Sequence, residues 1–199
     1  MKHLIVGLGN PGEKYERTRH NAGRMVLESF RKKNGLPEWE RDAKRDALVL
    51  KGEVGGVSVE LLLPETFMNN SGSSLRELRQ PTANSQQITN LIVAHDDIDL
   101  PIGSFKIAFN RGSAGHKGVE SVIAALGTKE FTRVRLGVSP LRDSGKIKKL
   151  EGEDAVSKFV LKKFSPDEWE KTEEVLARAS DALFIILTEG REKAMNVFN

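Results

Sequence analysis

The chain has 199 residues, of which 38% are hydrophobic and 30% are charged. This composition is typical of a soluble globular protein, and the length predicts one domain, spanning residues 1–199. The absence of cysteine excludes disulfides, a thiol nucleophile and thiolate zinc sites. No apolar stretch approaches the ~18 residues of a membrane span, and the start MKHLIVGLGN has no signal-peptide pattern. We therefore expect a cytoplasmic protein with no membrane partner.

The net charge is only +3, but the charges are unevenly distributed along the chain. Residues 101–149 contain ten Lys or Arg and three Asp or Glu, whereas residues 150–199 contain seven and eleven. A basic middle third in a nearly neutral protein is typical of a localised face that binds phosphates. A solvated surface stretch would give the same count, so both interpretations remain open.

Apolar patterns in the first half of the chain predict alternating strands and helices. A β-type run at 3–8 is followed by a helix at 21–34, which Gly35 and Pro37 terminate. Two further β-type runs are joined by Gly55 and Gly56, which indicates a tight hairpin. The predicted elements are therefore strands at 3–8, 47–54 and 57–63 and helices at 21–34 and 67–79.

The second half continues the alternation of strands and helices. Ser165, Pro166 and Glu168 form a capping box with Pro at the first helical position, which marks the start of a long helix. The predicted elements are strands at 90–94, 104–109 and 132–138, helices at 119–126 and 166–188, and a mobile polar loop at 141–152. Together they predict a single-domain α/β fold with a twisted mixed, largely parallel sheet flanked by helices.

The loop GLGNPG at 7–12 formally matches the G-x-G-x-x-G fingerprint of dinucleotide-binding proteins. That fingerprint requires a helix directly after the third glycine and an acidic residue at the tip of the next strand. Here the third glycine is followed by the charged string EKYERTR, and Pro11 disfavours helical backbone at Asn10. The next β-type runs also form a hairpin. The context therefore counts against an NAD-dependent oxidoreductase.

Two other kinds of catalytic site have weak support. The chain has no G-x-S-x-G motif of a serine hydrolase. His95, Asp96, Asp97 and Asp99 offer ligands that suit a divalent ion. A strand-end turn rich in Asp explains the same residues, and we favour that interpretation.

Several polar side chains follow predicted strand ends: Asn10, His20, Asn69, Asp96 and His116. A histidine in a loop is most often a surface residue. A histidine that meets a strand-end aspartate is different, because the carboxylate fixes the ring tautomer and leaves the other nitrogen to take a proton from water. Such a pair is suited to ester hydrolysis.

A set of short motifs, in order over nearly the whole chain, resembles the bacterial-type peptidyl-tRNA hydrolase family. The motifs are GLGNPG at Gly7, Tyr15, TRHNAG at Thr18, FMNNSG at Phe67, AHDDIDLPIG at Ala94, RGSAGHKG at Arg111, FTRVRLGV at Phe131 and KAMN at Lys193. The resemblance implies a monomeric α/β esterase of translation and ribosome rescue, without metal or cofactor. Its substrate would be peptidyl-tRNA, cleaved between the peptide and the 3′ ribose.

The resemblance also implies roles for individual residues. His20 would be the general base and Asp96 would orient it, while Asn10 and Asn69 would hold the substrate and the water. The remaining assignments concern substrate contacts. Tyr15, Phe67, Met68, His116 and Lys117 would bind the peptide end, with His116 on a gating loop, and Arg135, Arg133, Lys106 and Arg111 would bind tRNA phosphates.

Two positions depart from the family pattern. Lys117 stands where the family usually has Asn, and an ammonium can donate hydrogen bonds but cannot accept them. Ala108 falls where the family has a basic residue of its clamp on the tRNA 5′ phosphate, so Lys106 or Arg111 would substitute. The remaining alternative is a non-catalytic RNA-binding relative on the same fold.

Overall fold

A computed structural model describes residues 3–79, 90–141, 144–147, 150 and 152–199. Residues 142–143, 148–149 and 151 of the predicted loop lie outside this range. Within the described residues, seven strands form one sheet in the order β2-β3-β4-β1-β5-β7-β6. The strands are β1 (His3–Gly7), β2 (Glu40–Asp42), β3 (Ala47–Val54), β4 (Val57–Pro64), β5 (Asn90–Pro101), β6 (Phe105–Phe109) and β7 (Thr132–Ser139).

The centre of the sheet is parallel and its edges are antiparallel. Strand β1 pairs in parallel with β4 and β5, and β5 pairs in parallel with β7. The β3–β4 hairpin and β6 add antiparallel pairs at the two sides. This single mixed, mostly parallel sheet confirms the predicted fold class.

Helices pack on both faces of the sheet. They are α1 (Ala22–Lys33), α2 (Lys117–Leu126), α3 (Glu153–Val160), α4 (Pro166–Thr188) and α5 (Arg191–Phe198), with 3₁₀ turns at Glu13–Tyr15, Arg19–Asn21 and Met68–Arg79. Side chains alternate along a strand, so Ile5 packs against α1 and α4, whereas Leu4 and Val6 pack against α2 and the 3₁₀ turns at 68–79. No helix in the described part of the chain is long and apolar enough to cross a membrane.

The structure differs from the sequence prediction in several elements. β5 does not end at Ala94 but continues to Pro101, with a bulge between Asp97 and Pro101. The predicted helix at 67–79 is a series of 3₁₀ turns, and α2 begins at Lys117. The short elements β2, α3 and α5 were not predicted. Ser165 and Glu168 form the capping box that the sequence indicates.

Parallel pairing brings the site residues to one edge of the sheet. Gly7 of β1 lies in register with Ala94 of β5, so the segments that follow both residues leave the sheet side by side. Helix α1 then packs closely against this edge. A Cβ atom at Gly23 would lie 2.2 Å from the Ala94 carbonyl oxygen, so only glycine fits there.

Candidate active site

Asp96 is the centre of a buried hydrogen-bond network. Its side chain is almost inaccessible and contacts two histidines from different elements. His20 Nδ1 lies 2.9 Å from Oδ1 and 3.1 Å from Oδ2 of Asp96, and His116 Nε2 lies 2.8 Å from Oδ1. The structure therefore brings His20, Asp96 and His116 together from chain positions far apart.

The contacts determine which nitrogen of each ring carries the proton. His116 is the N-cap of α2 and its Nδ1 accepts from the Val119 amide at 3.2 Å, so its Nε2–H donates to Asp96. A carboxylate can only accept, so His20 also donates to it through Nδ1–H. His20 Nε2 has no hydrogen-bond partner among the described residues. This nitrogen is the one left to take a proton.

The surroundings of His20, Asp96 and His95 shift the pKa of each of these side chains. Burial opposes the charged form of His20, but the charge of Asp96 and its hydrogen bond outweigh burial and raise the pKa of His20. Burial alone would raise the pKa of Asp96, yet the two histidines lower it, so Asp96 is ionised. Burial lowers the pKa of neighbouring His95 well below its usual range, and that ring is neutral.

Asn10 is fixed from two directions. Its backbone amide donates to Asn21 Oδ1 at 2.8 Å, and Asn21 Nδ2 donates to the Asn10 carbonyl at 2.9 Å. The Asn10 side-chain oxygen accepts from the Met68 amide at 2.8 Å. The Asn10 Nδ2 group is therefore held in a defined orientation, because its oxygen is already bonded.

A cavity of about 410 Å³ opens over this network. The predicted residues Tyr15, Phe67, Met68 and Asn69 line it, and the Tyr15 and Phe67 rings meet edge to face at 6.3 Å. Phe67 is 58% exposed, an unusual fraction for a large apolar side chain. The full polar lining is Asn10, Tyr15, His20, Asn69, His95, Asp96, Asp97, Ser113, His116, Lys117, Glu153 and Ser157, and the rest is Phe67, Met68, Ile98, Ala114, Gly115, Val156, Val160 and Leu161.

His116 and Lys117 lie where the loop before α2 meets the helix. His116 is bonded to Asp96 on the cavity floor, whereas Lys117 begins α2 at the cavity rim. The Lys117 ammonium forms an ion pair with Glu153, the first residue of α3. Both side chains are exposed, and the pair joins the first residues of α2 and α3, which both line the cavity.

Asp96, Asp97 and Asp99 lie within β5, and Asp97 Oδ1 accepts from the Asp99 amide at 2.8 Å beside the bulge. His95 Nδ1 donates to the Asp96 carbonyl at 2.6 Å, and Asp97 Oδ2 accepts from Arg135 Nε at 2.6 Å. Among the described residues, the group with metal-ligand potential is instead His20, Asp96 and His116, whose ligand atoms lie within 4.8 Å of one another. Their hydrogen-bonded N–O distances are shorter than the roughly 3.3 Å between ligands of a tetrahedral zinc with bonds of about 2.0–2.1 Å.

A second cavity of about 620 Å³ lies beside the first, and Ala114 lines both. All four predicted phosphate-binding residues line it: Lys106, Arg111, Arg133 and Arg135. Antiparallel pairing of β6 with β7 aligns Lys106 with Arg135 and Ala108 with Arg133, so these side chains share one face.

Arg133 is the unusual cation of this second cavity. Its residue is 2% exposed, and no hydrogen bond or ion pair to its side chain is found within the described residues. Burial and then the charge of Arg135 lower its pKa. The small side chain of Ala108 lies opposite Arg133 on the neighbouring strand. A guanidinium that lines a cavity beside other cations has donors that suit an anion.

The fold is that of an α/β enzyme, and its first cavity contains a histidine whose ring is hydrogen-bonded to an aspartate. Because the cavity offers an unattached imidazole nitrogen and fixed amide donors, it suits hydrolysis by activated water. The chain belongs to the peptidyl-tRNA hydrolase family, whose model matches residues 4–199.

Individual relatives agree over almost their full length. The chain is 37% identical to the peptidyl-tRNA hydrolase of Thermodesulfovibrio yellowstonii over 98% of both chains. It is 39% identical to that of Carboxydothermus hydrogenoformans, covering 98% of this chain and 97% of the relative. A crystal structure of the Acinetobacter baumannii peptidyl-tRNA hydrolase superposes with a TM-score of 0.82 at 31% identity, covering 98% of this chain and 92% of that one.

Sequence reasoning missed several residues that shape the site. Asn21 is in the motif TRHNAG, yet its role in fixing Asn10 depends on a contact that no periodicity indicates. Asp97 was assigned to a turn, although it holds Arg135. Glu153 is missed because the sequence analysis predicts no element at 153–160. The buried Arg19, next to His20, gave no signal either.

Proposed function

We propose that the chain hydrolyses the ester bond of peptidyl-tRNA with a water molecule that His20 activates. The observation that carries the proposal is the His20–Asp96 hydrogen bond of 2.9 Å, which leaves Nε2 to act as a base. Membership of the peptidyl-tRNA hydrolase family supports the same substrate. The single domain 1–199 would act alone, as a cytoplasmic monomer without metal or cofactor, in line with the resemblance to that family.

The proposed reaction has two steps. His20 Nε2 takes a proton from water as its oxygen attacks the ester carbonyl carbon, and Asp96 stabilises the resulting imidazolium. The intermediate then expels the ribose 3′ oxygen, which receives the proton from His20. Amide groups of Asn10 and Asn69 would donate to the negative oxygen that forms on the carbonyl. His116 would keep Asp96 in place from the opposite side.

The peptide end of the substrate would lie along Tyr15, Phe67 and Met68. Amide side chains such as Asn69 both donate and accept, so they can hold a peptide backbone of any sequence. Lys117 would contribute only donors at the rim and is partly engaged by Glu153. This arrangement favours an N-blocked aminoacyl group over a free one, whose ammonium would lie near the protonated base.

The tRNA end would bind at the second cavity. Arg135 and Arg133 offer forked donors that match a phosphate, with Lys106 beside Arg135 and Arg111 at the rim. We therefore propose Arg133, buried opposite Ala108, as the main substitute for the absent basic side chain, with Lys106 and Arg111 as secondary contributors. Phosphate contacts of this kind give an affinity that falls with salt.

The test is cleavage of N-acetyl-aminoacyl-tRNA in EDTA and monovalent salt, beside the same tRNA with a free amino group. We expect rapid release of free tRNA from the blocked substrate only. Cleavage that requires added divalent metal would refute the metal-free mechanism. Tight tRNA binding with no cleavage in either condition would favour the non-catalytic RNA-binding alternative.

A further inference from the structure

We infer that Arg19 is a positioning residue for the base His20, an inference that rests on the proposed function. Arg19 precedes His20 in the 3₁₀ turn Arg19–Asn21 and is 5% exposed. Arg19 is not among the residues that line the cavity, so it acts through its neighbours. Its contacts join the turn that carries His20 to the segment between α3 and α4.

The guanidinium of Arg19 reaches the junction between α3 and α4. Nη1 donates to the Lys163 carbonyl at 2.8 Å and to the Lys162 carbonyl at 3.2 Å, while Nη2 meets Glu168 Oε2 at 2.6 Å. These partners lie more than 140 positions away in the chain. One buried side chain therefore links two distant segments.

Backbone contacts strengthen the same junction. The Arg19 amide donates to the Lys162 carbonyl at 3.1 Å, and the Phe164 amide donates to the Arg17 carbonyl at 3.3 Å. The Phe159 and Phe164 rings lie 4.6 and 5.1 Å from the guanidinium carbon, in cation–π contact. The guanidinium therefore has carbonyl, carboxylate and ring partners, whereas its buried Nε has no hydrogen-bond partner among the described residues.

The junction also forms a wall of the cavity. Val156, Ser157, Val160 and Leu161 line the cavity from α3 and its end, directly before the carbonyls that Arg19 holds. Arg19 therefore fixes the separation between the His20 turn and this wall. If the contact is lost, the His20 turn can move away from Asp96 as well as from α3.

Glu168 offers a way to separate positioning from general stability. Its Oε2 accepts from both the Ser165 amide and Arg19, so it serves the α4 cap and the Arg19 contact at once. Ser165 Oγ accepts from the Glu168 amide and makes no contact with Arg19. Glu168→Gln keeps an acceptor for the cap and removes the charge that faces Arg19, whereas Ser165→Ala weakens only the cap.

The experiment measures kcat, KM and the pH profile of kcat/KM on N-acetyl-aminoacyl-tRNA for Arg19→Gln, Arg19→Lys, Glu168→Gln and Ser165→Ala. For Arg19→Gln we expect kcat to fall about 10-fold to 100-fold, because small displacements of a base have large effects on rate. KM should stay within about twofold. The acidic limb of the kcat/KM profile should move to lower pH. The reason is that a looser hydrogen bond between His20 and Asp96 no longer raises the pKa of His20.

The companion variants complete the test. Arg19→Lys should have a higher kcat than Arg19→Gln, since the lysine ammonium still faces Glu168. Glu168→Gln should shift the acidic limb in the same direction as Arg19→Gln but by less. Ser165→Ala should lower Tm by about 2–4 °C and leave the limb in place. An unshifted limb in both Arg19→Gln and Glu168→Gln would overturn the inference. If Arg19→Gln does not fold, the test rests on Arg19→Lys and Glu168→Gln, and an unshifted acidic limb in both would overturn the inference. An inactive parent protein would refute the proposed function instead.

Discussion

The two adjacent cavities use charge in opposite ways. In the cavity over Asp96, the carboxylate is balanced by donors from His20 and His116 within 2.9 Å. In the basic cavity, Lys106 and Arg111 have no ion-pair partner among the described residues, and Arg133 is buried beside cations. The geometry of the first is fixed by contacts within the protein. Among the described residues of the second, only Arg135 has an ion-pair partner, and the other three cations are available to a ligand.

This difference reflects what each cavity would bind. A base must keep one orientation through every turnover, so its partners belong to the protein. A phosphate brings its own charge and leaves with the product, so a permanent protein carboxylate would compete with it. Arg135 is intermediate, because its Nε donates to Asp97, which also lines the catalytic cavity. The Asp97–Arg135 pair thus connects the two cavities across β5 and β7.

The most severe disruption of the catalytic cavity is the loss of its base. We expect His20→Ala to reduce kcat about 10³-fold, within the range that general-base removal usually costs. Binding of tRNA should persist in a filter-binding assay, because the basic cavity is untouched. Turnover equal to that of the parent would remove His20 from the mechanism.

Loss of the carboxylate should have the next largest effect. In Asp96→Asn the amide no longer fixes the His20 tautomer or stabilises its charge, and kcat should fall about 10²-fold. Activity requires neutral His20, so it rises with pH through the pKa of that ring, which Asp96 raises. Without this charge the pKa falls and the acidic limb of kcat/KM should move to lower pH. A limb that stays in place would show that another group controls it.

Substitutions in the basic cavity should change KM and leave kcat unchanged. Arg135→Ala and Arg133→Ala should each raise KM about tenfold and reduce the salt slope of binding by about one. Lys171→Ala removes an exposed cation from α4, on the acidic part of the chain, and serves as the matched control. Equal salt slopes for all three variants would place the phosphate elsewhere.

The sequence predicted the catalytic cavity better than the contacts that support it. His20, Asn10 and Asp96 fall within short local motifs, and parallel strands bring their ends together at one sheet edge. Asp96 was nevertheless assigned to a turn, because aspartate rarely occupies strands. Here β5 lies between β1 and β7, which provide hydrogen-bond partners for the β5 backbone. His20 and His116 donate hydrogen bonds to the Asp96 carboxylate.

Contacts between distant segments could not be predicted in this way. Asp97 meets Arg135 through the register of β5 with β7, 38 positions apart. The contacts of Arg19 with Lys163 and Glu168 depend on how α4 packs in the folded chain. The pairing of Lys117 with Glu153 depends on α3, which is only eight residues long and which the sequence analysis does not predict.

The smallest effect should come from the rim of the catalytic cavity. Lys117 and Glu153 are both exposed, and ion pairs of this kind contribute little in water and less in salt. Lys117→Asn restores a side chain that both donates and accepts, so we expect KM for N-acetyl-aminoacyl-tRNA to fall by less than about threefold. Glu153→Gln should release Lys117 and change KM by a similar factor at low salt, with no difference at high salt. Lys129→Asn, at the exposed end of the segment after α2, is the matched control for the loss of one positive charge. A tenfold change in kcat for Lys117→Asn would contradict this view, because it would place Lys117 with the fixed catalyst instead of at the adjustable rim.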